Sequence, residues 1–223
     1  MKATWKVDAL ALAMIAAMFA LAAVAWPAAP DRIPVHWNWA GQPDRLGGKF
    51  EGLLVLPLVA AGIYTLLLFI PRLDPRRKNY DAFAGPFAVI RTVIVGLALG
   101  LYVVILLWIR GERTHLNGLL AAEIGIAFLL LGNYLPKVKS NWLVGVRTPW
   151  TLSSDASWRQ THRLAGWLFT LGGLATLATA LARPDLAQSV MIGALIVAGG
   201  TSTIYSYFAW KHDPARTVSG ADS

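Results

Sequence analysis

The sequence predicts an all-α fold: a polytopic membrane bundle of about six transmembrane helices with both termini in the cytoplasm. Of the 223 residues, 56% are hydrophobic and only 14% are charged, whereas soluble domains have about 25% charged residues. The mean hydropathy is +0.53, and most of the 20 Lys and Arg residues lie between apolar runs. We therefore interpret the net charge of +8 as a sign of membrane topology and not of direct nucleic-acid binding.

Six apolar stretches approach the roughly 20 residues that a helix needs to cross about 30 Å of hydrocarbon. They are residues 9–26, 53–70, 87–109, 116–135, 164–182 and 189–210. Pro71 and Pro136 directly follow the second and fourth stretches, and proline favours the end of a helix.

The first stretch has two interpretations. Lys2 and Lys6 precede it and Ala23-Val24-Ala25 lies near its end, a pattern that resembles a signal peptide with a small-residue cleavage site. A retained span is favoured, because the apolar run is long for a signal peptide and five more spans follow. Both interpretations place Trp26 outside the cell.

The orientation follows from the distribution of basic residues. With the N-terminus inside, 14 of the 20 Lys and Arg residues lie in inner segments and 6 in outer segments, Arg110 and Arg113 among the latter. This positive-inside bias favours cytoplasmic termini in a bacterial plasma membrane. The absence of cysteine excludes disulfides and thiolate metal sites.

The chain divides into two membrane regions and a tail. Residues 1–110 form an N-terminal region with a structured outer loop at 27–52, and residues 111–210 form a second region with a structured inner loop at 136–163. Residues 211–223 are expected to be a flexible cytoplasmic tail. Both loops are too short for an independent core.

The outer loop is rich in turn-forming residues and aromatic side chains. If its 36–39 segment is extended, the two tryptophans lie on one face and His36 and Asn38 on the other. One interpretation is an outward recognition site formed by His36, Trp37, Asn38, Gly41 and Asp44. The alternative is that the tryptophans hold the loop at the interface while the polar groups cap turns. A lone histidine with Asn and Asp lacks a spaced set of metal ligands.

The inner loop is unusually structured. Ser153 or Ser154 can cap a new helix that has Asp155 in its first turn. In that helix Trp158 and His162 are four residues apart and share a face. Basic side chains are expected to converge near the headgroups, where they suit an anion such as a lipid phosphate or a carboxylate, or act as ordinary anchors. They are Lys137, Lys139, Arg147, Arg159 and Arg163.

Few polar residues interrupt the spans. Glu123 lies about seven residues into the fourth span, and intramembrane carboxylates usually face the bundle interior. Two roles remain open for the Glu123 side chain: a structural hydrogen bond, or proton coupling. Arg91 is expected to snorkel to the inner surface. Small residues of the last two spans are expected to allow close helix approach: Gly166, Gly172, Gly173, Gly193, Gly199 and Gly200.

Two segments resemble a known family. The run from Gly132-Asn133-Tyr134-Leu135-Pro136 through Val144-Gly145-Val146-Arg147-Thr148-Pro149-Trp150 to Trp158-Arg159-Gln160-Thr161-His162-Arg163 resembles the signature of the SdpI family, bacterial immunity proteins against the sporulation-delaying toxin peptide. The segment Ile33-Pro34-Val35-His36-Trp37-Asn38, with Gly41 and Asp44, resembles the N-terminal domain of unknown function that often precedes that signature.

The resemblance implies a membrane protein that protects its host from a membrane-active toxin peptide. In the founding system the immunity protein also sequesters a transcriptional repressor at the membrane, a role that needs a cognate repressor. The implied partners are thus the lipid bilayer, a toxin peptide and a cytoplasmic repressor. The candidate binding residues of the inner loop are Asn133, Arg147, Thr148, Pro149, Trp150, Trp158, His162 and Arg163.

No enzyme or cofactor is expected. The chain has no P-loop, dinucleotide glycine pattern, zinc His-Glu-x-x-His or nucleophile elbow, and its four histidines, His115 included, are scattered over both predicted sides. The main alternative function is a small-solute or peptide transporter or exporter, with Glu123 in the path. A weaker alternative is a lipid-modifying enzyme that uses Arg147, Asp155 and His162.

Overall fold

The computed structural model describes residues 4–112 and 116–217. Lys2, Arg113, His115 and the 218–223 part of the predicted tail therefore lie outside the described residues. Within them, six helical segments are long and apolar enough to cross a membrane, so the predicted all-α bundle is confirmed. The α-helices are α1 (Trp5–Ala25), α2 (Lys49–Leu53), α3 (Val55–Phe69), α4 (Ala84–Ile109), α5 (Leu116–Tyr134), α6 (Pro149–Ser153), α7 (Asp155–Ala182) and α8 (Pro184–Lys211).

Short 3₁₀ helices follow or precede several of these helices. Ile70–Arg72 continues α3, Arg77–Ala82 leads into α4, Leu135–Lys137 continues α5, and Pro214–Thr217 follows α8. Pro71 and Pro136 lie inside two of these 3₁₀ turns. The prolines thus mark the ends of regular α-helix, as the sequence predicts.

The fifth span begins earlier than its apolar stretch. Ser154 caps α7 by accepting a hydrogen bond from the Ser157 amide at 2.9 Å, which confirms the predicted cap. The helix then continues without a break from Asp155 into the membrane span. In its first turns, Trp158 donates to the Val138 carbonyl and His162 accepts from the Val146 amide, so this part of the helix contacts the 136–154 loop.

The outer loop forms a β-hairpin that the sequence did not predict. Strands β1 (Ile33–Trp37) and β2 (Pro43–Gly47) pair antiparallel, with His36 opposite Arg45. Ile33 is fully buried in a core cluster with residues of α1, α3 and α4. The hydroxyl of Tyr102 on α4 also donates to the Leu53 carbonyl at 3.1 Å. The hairpin is therefore attached to one end of α4.

A charged pair joins α1, α3 and α4 at the opposite end. Arg91 is 1% exposed, and its Nη2 lies 2.7 Å from Asp8 Oδ1. The Tyr64 hydroxyl donates to the same oxygen at 3.1 Å, and the guanidinium lies over the Phe87 ring. The expectation that Arg91 snorkels is wrong, because α1 supplies a carboxylate inside the bundle.

Candidate functional site

The segment between α3 and α4 is joined to the 136–163 loop through a buried carboxylate. Asp74 is 4% exposed. It accepts hydrogen bonds from the Tyr80 hydroxyl and the Trp142 amide, both at 2.9 Å, and from the Arg76 amide at 2.7 Å. Burial raises the pKa of Tyr80, and the hydrogen bond to Asp74 acts in the same direction. The phenol therefore stays protonated and donates to the carboxylate.

Two more side chains of the same segment reach the loop. The Arg76 guanidinium donates to the Ser140 hydroxyl and, at 2.5 Å, to the Leu152 carbonyl. Asn79 Nδ2 donates to the Ser140 carbonyl at 2.7 Å. Below them, Tyr80 packs in an aromatic cluster with residues that include Phe83, Phe87 and Trp158. Residues 74–83 and 136–154 thus form one joined unit, which we call the double loop.

Asn141 determines the path of the chain inside the double loop. It is fully buried. Its Oδ1 accepts from the Leu143 and Val144 amides at 2.8 and 2.7 Å, and its Nδ2 donates to the Lys139 and Val144 carbonyls. A single amide side chain therefore replaces the missing backbone partners of an irregular, buried turn.

His162 closes the next turn. Its Nδ1 lies 2.8 Å from the Trp158 carbonyl, and its Nε2 accepts the Val146 amide at 3.1 Å. These partners require a neutral ring with the proton on Nδ1. The ring stacks on Trp158 at 4.1 Å, as their predicted shared face implies, and Gly145, at φ +111°, leaves no room for a side chain against the ring.

Thr148 and Ser154 cap consecutive helices and also bind the last span. Thr148 and Thr151 form a reciprocal capping box at the start of α6, and the Thr148 hydroxyl lies 2.9 Å from that of Ser206 on α8. The Ser154 hydroxyl donates to Asp213, which lowers the pKa of that carboxylate. Trp150 packs edge-on against Tyr207 of α8. The double loop is therefore fixed to α8 as well.

The predicted inner-loop residues fall into two groups. Thr148, Trp158 and His162 are buried structural residues, and Trp150 is half-buried. Asn133, Arg147, Pro149 and Arg163 are exposed. Arg147 Nη1 donates to the Trp142 carbonyl at 2.9 Å, and Trp142 itself is 50% exposed. Asn133 accepts from Lys137 at 3.4 Å.

The outer candidates lie at the tip of the hairpin. His36 Nδ1 and Asp44 Oδ1 are 2.6 Å apart across the strands, and both side chains are exposed. Asn38 is not part of an alternating strand, because its Oδ1 accepts from the Ala40 and Gln42 amides and closes the turn. Gly41 has φ +72° in that turn. Trp37 packs against the core, whereas Trp39 is 78% exposed, so the two tryptophans do not form one anchoring face.

Glu123 lies apart from both loops. Its carboxyl group occupies the notch that Gly100 of α4 leaves in the helix surface, where an added Cβ atom would overlap it. Within the described chain, its buried Oε1 has no hydrogen-bond partner. The lipid-modifying alternative loses its base, because His162 is fully buried and both of its nitrogens are already bonded.

Sequence reasoning missed the first half of the double loop. Asp74-Pro75 is a turn-initiating pair, and the basic run Arg76-Arg77-Lys78 follows it, a pattern that by itself indicates only membrane orientation. Ser140-Asn141 carried the signal of a side-chain-closed turn. The partners of these residues lie more than 60 residues away in sequence, so their roles become visible only in the fold.

The fold and its two structured loops define a class of protein: a multi-pass helical membrane protein with a small hairpin at one end and a tightly bonded double loop at the other. The resemblance to the SdpI family is confirmed, because residues 137–206 match the SdpI/YfhL protein family and residues 13–61 match a domain of unknown function (DUF1648).

A characterised relative extends the similarity along the chain. The protein "Immunity protein SdpI" of Bacillus subtilis (strain 168) is 22% identical over 206 residues, which cover 92% of this chain and 97% of that protein. No solved structure matches the chain. With its six apolar helices, this similarity identifies a multi-pass bacterial membrane protein.

Proposed function

We propose that this protein is a membrane immunity protein that protects its host against a membrane-active toxin peptide. The observation that carries the proposal is the extent of the similarity to the immunity protein SdpI, which covers 92% of this chain and 97% of that protein. The similarity therefore extends over nearly the whole chain and not over one motif alone.

The hairpin is the part that we expect to meet the peptide. By the positive-inside rule it faces outwards. His36 and Asp44 are exposed there, and the Trp39 side chain offers an apolar surface at the same tip. Together they provide a polar pair and an aromatic group of the kind that binds an amphipathic peptide.

Helix α4 is the physical connection between the hairpin and the double loop. Tyr102 bonds the segment that follows the hairpin, and Phe87, at the other end of the same helix, packs in the aromatic cluster below the double loop. A displacement of the hairpin by bound peptide would therefore act on the double loop through one rigid element.

The signalling part of the proposal concerns the opposite surface. Trp142 is 50% exposed, and its carbonyl accepts from the exposed Arg147. An exposed aromatic ring beside an arginine is typical of protein-binding hot spots. We place the contact with a cytoplasmic repressor there.

The test is the survival of a toxin-sensitive bacterium that expresses this protein and is challenged with a sporulation-delaying-type peptide. Wild-type protein is expected to protect. His36→Ala is expected to reduce protection, because the exposed pair with Asp44 is lost. Arg183→Ala is the matched control, because Arg183 also forms an exposed pair, with Asp185, away from the hairpin. Arg147→Ala is expected to preserve protection and to impair repressor capture.

Protein abundance in the membrane must be equal for all variants. Failure of the wild type to protect, despite normal insertion, would reject the immunity function. Equal loss in His36→Ala and Arg183→Ala would reject the hairpin as the contact site.

Transport is the second candidate, and the position of Glu123 favours it. An ionisable side chain inside a span often marks a proton path, and the buried Oε1 of Glu123 has no hydrogen-bond partner within the described residues. Transport predicts that Glu123→Gln removes protection and that collapse of the proton gradient does the same in the wild type. Immunity without transport predicts that both treatments leave protection unchanged.

A further inference from the structure

A cleft of about 700 Å³ lies beside the double loop. Its walls are the 3₁₀ helix Arg77–Ala82, the segment that follows α5, and the first three turns of α7. Pro136, Val138 and Trp158 form its apolar part. The cleft thus lies between both halves of the double loop and the start of α7.

The charged lining of this cleft is mainly positive. Lys139, Arg159 and Arg163 line it and are exposed, and Asp155 is the one acidic residue among the described residues that line it. Asn79 and Gln160 add neutral hydrogen-bonding groups. Three cations with neutral donors fit the oxygen atoms of a phosphate group, and arginine binds such groups with two parallel hydrogen bonds.

An exposed apolar strip continues from the cleft along α7. Trp167, Leu171 and Leu174 follow Arg163 at intervals of four, four and three residues, so they lie on one helix face below it. They are 66%, 58% and 51% exposed. Since α7 continues into the membrane span, this strip faces hydrocarbon. A ligand with its phosphate at Arg163 would therefore have its acyl chains against the strip.

We propose that the cleft binds the phosphate headgroup of an anionic phospholipid, whose acyl chains lie along Trp167, Leu171 and Leu174. The site is distinct from the hairpin, and the proposal does not depend on toxin immunity. A soluble phosphate would satisfy the cations but would leave the apolar strip unused, which is why the geometry favours a lipid.

The test uses the purified full-length protein in a neutral detergent, with phosphatidylglycerol and phosphatidylcholine as probes and native mass spectrometry as the readout. Wild-type protein is expected to retain phosphatidylglycerol in preference to phosphatidylcholine. The double variant Arg159→Gln/Arg163→Gln is expected to weaken phosphatidylglycerol binding by about 25-fold, because each basic residue near a lipid surface contributes about a factor of five.

Lys137→Gln is the matched control. Lys137 is exposed at the same end of the bundle but is not among the described residues that line the cleft, so its loss is expected to weaken binding by less than the factor of about five for one basic residue. Arg163→Lys keeps the charge and is expected to retain most of the binding. Thermal unfolding shows whether each variant is folded.

Three results would overturn the proposal. They are equal binding of both lipids by the wild type, equal losses in the double variant and in Lys137→Gln, and displacement of the lipid by an equal concentration of glycerol 3-phosphate. The last result would show that a soluble phosphate occupies the cleft. Selective loss in the folded double variant, without displacement by the soluble headgroup, would support the lipid site.

Discussion

Single buried polar residues hold the double loop together. Asp74 receives three hydrogen bonds, and Asn141 makes four to backbone groups of its own turn. Buried polar groups are stable only when they are hydrogen-bonded. The position of the loop therefore depends on these side chains as well as on the aromatic cluster below it.

We expect Asp74→Ala to lower the free energy of unfolding by about 2–4 kcal/mol, because it leaves the Tyr80 hydroxyl and the Trp142 amide without their buried acceptor. Thermal or denaturant unfolding of the protein in detergent measures the change. Asp155→Ala, at an exposed position of the same end, is the control and should cost less than about 1 kcal/mol. Similar losses in the two variants would show that the carboxylate does not hold the loops together.

The sequence predicts contacts between residues that are neighbours on one helix. It does not predict contacts between residues that are far apart in the chain. The stacking of Trp158 and His162 follows from their spacing of four. The bond between Asp74 and Trp142 joins positions 68 residues apart, and no local pattern specifies that pairing. The candidate site residues thus stay a prediction, and the sequence did not separate the buried structural residues among them from the exposed ones.

At the scale of elements, a seam of small residues joins α5 and α7. Gly118, Gly125 and Gly132 recur every seven residues on α5, and Gly166, Gly173 and Ala180 do so on α7. The two helices run antiparallel, and their backbones are close: a Cβ atom at Gly173 would lie 2.7 Å from the Gly125 carbonyl oxygen. A seven-residue spacing is typical of helices that cross with a left-handed twist.

The remaining glycines of the last spans differ from one another. Gly172 approaches Ala194 of α8, in agreement with the expected packing role. Gly193, Gly199 and Gly200 have no heavy atom of another part of the described chain within 4 Å of an added Cβ. The expectation of close helix packing is therefore wrong for these three within the described chain.

Gly173→Leu should destabilise the protein by about 1–3 kcal/mol or more, because the new side chain meets the backbone of α5, which cannot move aside as a side chain can. Gly193→Leu is the matched control on α8 and should leave stability nearly unchanged. The melting temperature in detergent and the abundance in the membrane measure both. If Gly173→Leu melts with the wild type, the seam does not determine the packing of α5 and α7.

The membrane spans were predictable because an apolar run of about 20 residues matches the length of a helix that crosses the hydrocarbon core. The start of α7 was predicted from its cap, but its continuity with the fifth span was not, since its first two turns carry Trp158, Arg159 and His162 and have no apolar run. The hairpin was not predicted, because Asn38 closes its turn through side-chain bonds and the strands are only five residues long. Local composition thus determines the spans, whereas tertiary contacts determine the loops.

At the scale of the whole molecule, different parts of the chain lie at the two ends of the bundle. The double loop bonds to Asp213 after α8 through Ser154, and Asp8 of α1 pairs with Arg91 near the start of α4. The beginning and end of the described chain are therefore at the end that carries the double loop, as six crossings require. The hairpin lies at the other end, next to Tyr102.

Cysteine labelling tests which end faces the cytoplasm, and the absence of native cysteine makes every introduced thiol unique. Ala40→Cys in the hairpin and Ser153→Cys in the double loop are both exposed positions. We expect a membrane-impermeant maleimide to label Ala40→Cys in intact cells and Ser153→Cys only after permeabilisation, because the basic end stays inside. Thr176→Cys, fully buried within α7, should stay unlabelled in both conditions. The reverse pattern would place the termini and the double loop outside, and with them the lipid cleft. Labelling of both exposed positions in intact cells would contradict a topology in which the hairpin and the double loop lie on opposite sides of the membrane.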